Sequence, residues 1–192
     1  MVVDALILAG GRSSRLGGSV KQKLRVGNAS LLDRTVDAVR AAGVRHVVVV
    51  GDGGPDGTTV VREDPVFGGP VAAIAAGLDV LPADADVVLV LACDMPGIAP
   101  ALPGFVRSIA GDGVVAVDRG RRQQLVFAAR ARALRAAVAV LPTVVDASVR
   151  SLLEQLDLTD VAVPDGATDD IDTWDDAARF GAVPPEHVRS AT

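Results

Sequence analysis

The 192-residue chain contains no tyrosine, one tryptophan and four phenylalanines, so aromatics make up only 3% of it. Its core must therefore be aliphatic, and hydrophobic residues of all kinds reach 49%. That composition suits strands buried on both faces, which read as runs of valine, leucine and isoleucine. Cysteine is nearly missing: Cys93 stands alone, which excludes an intrachain disulfide and fits a reducing compartment. The two histidines, His46 at a strand start and His187 near the end, offer no Ser/His or Cys/His catalytic pair and no zinc site. Positive charge is in deficit, with a formal net charge of −5, so no global footprint for nucleic acid or anionic membrane is present. The longest strongly apolar run, 87–93, is far too short to span a bilayer. The opening stretch MVVDALILAGG lacks a basic n-region and a cleavage site, so it does not read as a signal peptide. A soluble cytoplasmic protein, with neither nucleic acid nor membrane as partner, is expected.

What is present is alternation. Apolar runs of strand length at 2–8, 46–50, 58–61 and 86–92 alternate with helical spacing at 30–42, 70–81 and 102–110. Farther on, 113–117 and 124–128 read as strands joined by DRGRRQ, a hairpin-sized connection. Residues 130–141 and 149–156 read as helices, 161–163 as a late strand and 173–180 as a last helix. Alternating strands and helices predict a mostly parallel sheet with helices on both faces, and the hairpin adds at least one antiparallel strand. The expected fold is a single three-layer α/β/α domain over residues 1–183, with 184–192 a flexible tail.

In open α/β sheets, ligands bind beyond the carboxyl ends of the strands. Those ends carry AGGRSSRLGGSVK, GDGG, REDPVFGGP and CDMPG, three of them with glycine pairs. In the first loop, Gly10 and Gly11 allow backbone N–H groups to approach phosphate oxygens closely. Arg15 and Lys21 would neutralise a triphosphate, one as a planar fork and the other as a point charge. The plainer alternative is a flexible turn with solvated charges. The loop matches neither the Walker A spacing nor G-x-G-x-x-G, which argues against an NAD-dependent oxidoreductase. Asp94 ends the strongest strand and would hold Mg²⁺ against phosphate oxygens, or else serve as a turn residue before Pro96. Cys93 reads as a small buried residue. In TDDIDTWDDAARF, Asp170 and Asp172 bracket Ile171 and point the same way if extended. The same stretch also reads as a helix start, with Asp172 or Thr173 as N-cap.

LAGGRSSRLGG followed by Lys21, EDPVFGGPVAAIAAGL, VLVLACDMPGI and DDIDTWDDAARF occur in an order and spacing that resemble the molybdenum cofactor guanylyltransferase family. That family lies within the Rossmann-like nucleotidyltransferases, and the resemblance runs over roughly 3–180. It implies transfer of a guanylyl group from GTP to a molybdopterin-type phosphorylated acceptor, with Mg²⁺ and release of pyrophosphate. It also implies transient contact with proteins of molybdenum cofactor biosynthesis or with acceptor proteins. Carried over by position, Leu8, Ala9, Gly10 and Gly11 would meet the nucleotide through the backbone. Lys21 would bind phosphate, Asp64 the nucleoside, and Asp94 both Mg²⁺ and nucleotide. Asp170 and Asp172 fall where the family has a polar pair near the acceptor or a second metal. Arg15, Lys21 and Asp94 are the residues expected to carry the chemistry. The sequence departs from the pattern at Val20, where relatives carry an acid, at Val50 and Gly51, where some carry Asn near the base, at RRQQL and at Trp174. Cytidylyl transfer, nucleotidyl transfer to another phosphorylated acceptor, and a non-catalytic nucleotide-binding protein remain as alternatives.

Overall fold

The computed structural model describes residues 1–10 and 21–185. The expectations placed on Gly11, Arg15 and Val20, and on the tail from 186 onward, lie outside the described residues. Strand β1 (Val3–Leu8) is buried along its whole length and lies in the interior of a seven-stranded sheet, third from one edge. It pairs in parallel with β4 (Val47–Val50) on one side and β6 (Val87–Ala92) on the other. Outward from β4 comes β5 (Thr59–Val61); outward from β6 come β8 (Arg121–Arg130), β7 (Gly113–Asp118) and β9 (Leu158–Ala162). Only β8 runs against the rest: it pairs antiparallel with β6 and β7, while β7 and β9 are parallel.

Side chains alternate across the central strands and divide the core in two. Val3, Ala5 and Ile7 of β1 join Val87, Leu89 and Leu91 of β6 beneath α1 (Leu31–Ala41) and α3 (Leu102–Arg107). Leu6 and Leu8, with Val88 and Val90, pack beneath α2 (Pro70–Val80), α4 (Ala131–Ala139) and α5 (Val149–Leu153). The three-layer architecture is thus a direct consequence of the period-2 strand pattern with both faces apolar. Gly77 lets α2 sit close on the sheet, since a Cβ there would lie 2.8 Å from a Leu6 methyl. Among the described residues, no helix is long and apolar enough to cross a membrane.

Several element ends differ from the periodic reading. The DRGRRQ connection is mostly strand, and only Arg119 and Gly120 turn, at φ 49° and 74°. Two left-handed residues are what a tight two-residue hairpin requires. The late strand runs Leu158–Ala162 rather than 161–163; Thr159 and Asp160, exposed on the edge strand, mask the apolar pattern at its start. A small second sheet escapes sequence reading altogether: β2 (Arg25–Val26), β3 (Ala29–Ser30) and β10 (Ala182–Val183) are each two residues long. It covers a third cluster of Leu24, Leu31, Ile171, Ala177 and Ala182, the Ala177 coming from α6 (Trp174–Arg179). Strand β8 also slips in register. Val115 faces Phe127, yet its neighbour Ala116 faces Gln123, so residues 124–126 are extra at the end of β6. Such a bulge re-aims side chains at the strand end.

Candidate functional site

Backbone bonds carry the sheet past its strands toward the site. Ala9 N–H donates to Val50 O at 2.9 Å, and Cys93 N–H donates to Leu8 O at 3.2 Å. Beyond these ends lies a cavity of about 270 Å³. Leu8, Ala9 and Gly10 form its floor, Cys93 and Asp94 one wall, and Glu63 with Phe67 another. Gly69, Pro70 and Ala73 bring the N-terminal turn of α2 to it, and Lys21 and Gln22 close it from the side.

Lys21 sits where it does because of a buried neighbour. Leu24 is fully buried in the third cluster; its N–H donates to Lys21 O, and its carbonyl accepts the Leu31 N–H at 2.8 Å. From this pinned turn the Lys21 ammonium reaches Asp94 Oδ2 at 2.6 Å and Asp172 Oδ1 at 2.5 Å. Burial alone would lower the Lys21 pKa, but the Asp94 charge and bonds to both carboxylates outweigh it and raise it.

Asp170 and Asp172 are placed by the residue between them. Ile171 is fully buried in the third cluster, and its N–H donates to Asp94 O at 3.1 Å. With Ile171 turned inward, the flanking carboxylates meet Asp94: one oxygen from each of the three lies within 4.8 Å of the others. That cluster could hold a metal ion. Burial, followed by the charges of Asp172 and Asp94, raises the Asp170 pKa. The helix-start reading of this stretch holds as well. Thr173 is the N-cap, accepting Asp176 N–H at 3.1 Å while Asp176 accepts Thr173 N–H at 2.9 Å. The cap is therefore Thr173 and not Asp172.

The turn that leads into Asp170 hangs on Asp118. This buried carboxylate, at the end of β7, accepts Gly166 N–H, Thr168 N–H and the Thr168 hydroxyl at 2.7 to 3.1 Å. Desolvation pushes its pKa up, but those bonds prevail and hold it below the usual carboxylate range. Thr168 and Asp170 line a second cavity, of about 450 Å³, with Met95, Gln123, Gln124 and Val149. The two cavities share Pro70, Ala92, Asp94 and Leu125, so Asp94 stands at their junction. Burial pushes the Cys93 thiol far up, which keeps it protonated and unreactive.

The structure therefore gathers Leu8, Ala9, Gly10, Lys21 and Asp94 around one cavity and brings Asp170 and Asp172 to its rim. Asp64 is exposed and does not line the cavity; the adjacent Glu63 does. Glu63, Gln22, Phe67 and the Asp118 anchor are contributions that the sequence reading missed. For Glu63 the signal was its place beside Asp64 in REDP, but which of two adjacent acids points inward depends on the turn after β5. For Asp118 no local signal exists, because its partners lie some 50 residues away.

The family model described as "MobA-like NTP transferase domain" matches residues 5–161. A stretch of 104 residues is 36% identical to a putative molybdenum cofactor guanylyltransferase of Neisseria meningitidis serogroup B, covering 50% of this chain and 54% of that protein. Over 127 residues the chain is 35% identical to a probable molybdenum cofactor guanylyltransferase of Pelotomaculum thermopropionicum, covering 64% and 60%. The chain thus spans about 54–60% of the length of these curated relatives. Among solved structures, Rv0371c from Mycobacterium tuberculosis superposes with a TM-score of 0.78 at 26% identity, covering 94% of this chain and 97% of that one. The same protein in complex with manganese superposes with a TM-score of 0.75, at the same identity and coverage.

Proposed function

Because the chain belongs to the MobA-like NTP transferase family, we propose that it transfers a guanylyl group from GTP to molybdopterin in an Mg²⁺-dependent reaction that releases pyrophosphate. The observation that carries this reading is the Lys21 ammonium set between Asp94 and Asp172 at the rim of the strand-end cavity. It joins a phosphate-binding cation to carboxylates of the kind that hold a hard divalent ion. The relatives named molybdenum cofactor guanylyltransferase support the choice of GTP and acceptor.

The three carboxylates fit the metal: they offer oxygen donors only, spaced within 4.8 Å, close to what one six-coordinate ion gathers. Asp94, Asp170 and Asp172 would hold Mg²⁺, which when bound would neutralise triphosphate oxygens. The manganese complex of the M. tuberculosis neighbour is in line with a divalent ion on this fold.

The protein's own part is binding and positioning. Leu8, Ala9, Gly10 and Gly11 would meet the nucleotide through the backbone, and the positive end of α2 faces the same cavity. Lys21 would take phosphate oxygens as the triphosphate enters, with Arg15 as a second cation. Asp64 would reach the nucleoside from outside the cavity wall. The second cavity, across Asp94, would receive the acceptor. The acceptor's terminal phosphate oxygen attacks the α-phosphorus in line, the bond to the bridging oxygen breaks, and pyrophosphate leaves. A phosphate oxyanion is already a nucleophile, so no general base is needed; orientation and charge neutralisation supply the rate. The test is pyrophosphate release with GTP, Mg²⁺ and molybdopterin, each omitted in turn. Release only when all three are present supports the reading, and no turnover with any nucleoside triphosphate and any phosphorylated pterin rejects it.

A further inference from the structure

Glu63 has no part in the phosphate chemistry, yet it is only 8% exposed and lines the cavity beside Ala9, Gly10 and Phe67. Its Oε1 accepts the Phe67 N–H at 3.1 Å, which fixes the carboxylate in place. Among the described residues no cation pairs with it; the adjacent Arg62 bonds to Asp52 instead. A carboxylate withdrawn from water without a cation is costly unless donors reach it. In a cavity wall, those donors can come from a ligand.

We propose that Glu63 selects the base, accepting the paired N1–H and N2–H donors of guanine; this rests on reading the cavity as a nucleoside triphosphate site. A carboxylate only accepts hydrogen bonds. Of the four common bases, guanine alone sets two N–H donors side by side on its pairing edge. Adenine and cytosine place a ring-nitrogen lone pair next to their amino group, and that lone pair would face the carboxylate. Uracil has one donor between two acceptors. Much of the cavity lining is apolar, with Leu8, Ala9, Phe67 and Ala73 among it, and suits a flat ring rather than a polyol. Glu63 follows β5 and Asp94 follows β6, three places apart in the sheet. By strand spacing that is about 14 Å, a distance a nucleotide spans from its phosphates to the far edge of its base.

The experiment measures dissociation constants by calorimetry, with Mg²⁺ present, for GTP, ITP, 2′-deoxy-GTP and CTP. ITP lacks only the N2 amino group. Wild-type protein should prefer GTP to ITP by roughly 10- to 100-fold, the range for a hydrogen bond to a charged group. Glu63→Gln, whose amide oxygen can still accept the Phe67 N–H, should collapse that preference and leave the ratio of GTP to 2′-deoxy-GTP unchanged. Equal affinity of the wild type for GTP and ITP overturns the inference without any variant. A shift in the deoxy ratio instead overturns it in favour of ribose contact. In both cases the transferase reading still stands. A wild type that binds no nucleoside triphosphate overturns both.

Discussion

Lys21 and Asp172 are separated by 151 residues, yet the ammonium of one lies 2.5 Å from the carboxylate of the other. Each arrives through a buried apolar neighbour in the same small cluster, Leu24 for the lysine and Ile171 for the aspartate. The small sheet and its core therefore act as a bracket that holds two charged groups over the end of the main sheet.

Replacing Lys21 with Met removes the cation from among three carboxylates. Pyrophosphate release should fall by about 10²–10³-fold, the usual cost of losing one electrostatic contact to the transition state. The variant should also melt lower than wild type in metal-free buffer and recover part of the difference when Mg²⁺ is added, because the acids repel more strongly without the Lys21 ammonium among them. Undiminished turnover would take Lys21 out of the chemistry.

Asp94→Asn tests the junction of the two cavities. A nucleotide at 100 times its dissociation constant should stabilise the wild type by about 2.7 kcal/mol. In the variant the Mg²⁺-dependent part of that gain should vanish. Denaturant melts with GTP, with and without a chelator, read it directly, and an Asp94→Asn protein that keeps the full metal-dependent gain would contradict the assignment.

Ile171→Ala should destabilise the protein by about 2–5 kcal/mol, the range for truncating a buried isoleucine. Activity should fall further than stability at the assay temperature explains, since Asp170 and Asp172 lose their anchor. Ile171→Val, costing about 0.5–1.5 kcal/mol, should keep most of the activity. Equal activity in both variants would show that the bracket is not needed.

The pH dependence of stability should carry a component from Asp118. Its pKa is depressed in the fold, so the stabilisation it supplies is complete above the ordinary carboxylate range and lost as pH falls through the folded value. Asp118→Asn should therefore flatten the acid limb of the stability curve while costing about 1–3 kcal/mol near neutrality, from the weakened hold on the 166–168 turn. An acid limb identical to wild type would contradict this.

Cys93→Ala should retain turnover within about threefold, because a buried, protonated thiol is neither nucleophile nor ligand. The native protein should react with an aromatic disulfide reagent only after unfolding. Rapid labelling of the folded protein would place the thiol in an accessible state.

Much of the fold was legible because its signals are local. The valine-rich runs at 47–50 and 87–92 could only be strands buried on both faces, and Pro70 marked the start of α2. The two-residue strands β2, β3 and β10 were not legible, since two residues carry no period. Nor was the β8 register slip at 124–126, which depends on two partner strands at once.

The same division runs through the site. Glycines at strand ends, a carboxylate closing the strongest strand and a lysine after the first loop are readable because each follows from its place beside a strand. Sequence alone thus determined the layered fold, the end of the sheet where the candidate site lies, and Lys21 and Asp94 as residues that stand there. Tertiary structure decided what those residues meet. It folded Ile171 inward so that Asp170 and Asp172 joined Asp94, and it put Glu63 in the cavity lining and left Asp64 exposed outside it. The physical reason is the same in both cases. Which way a side chain points at the end of a loop is set by the burial of its neighbours against distant elements, and that burial exists only once the chain has folded.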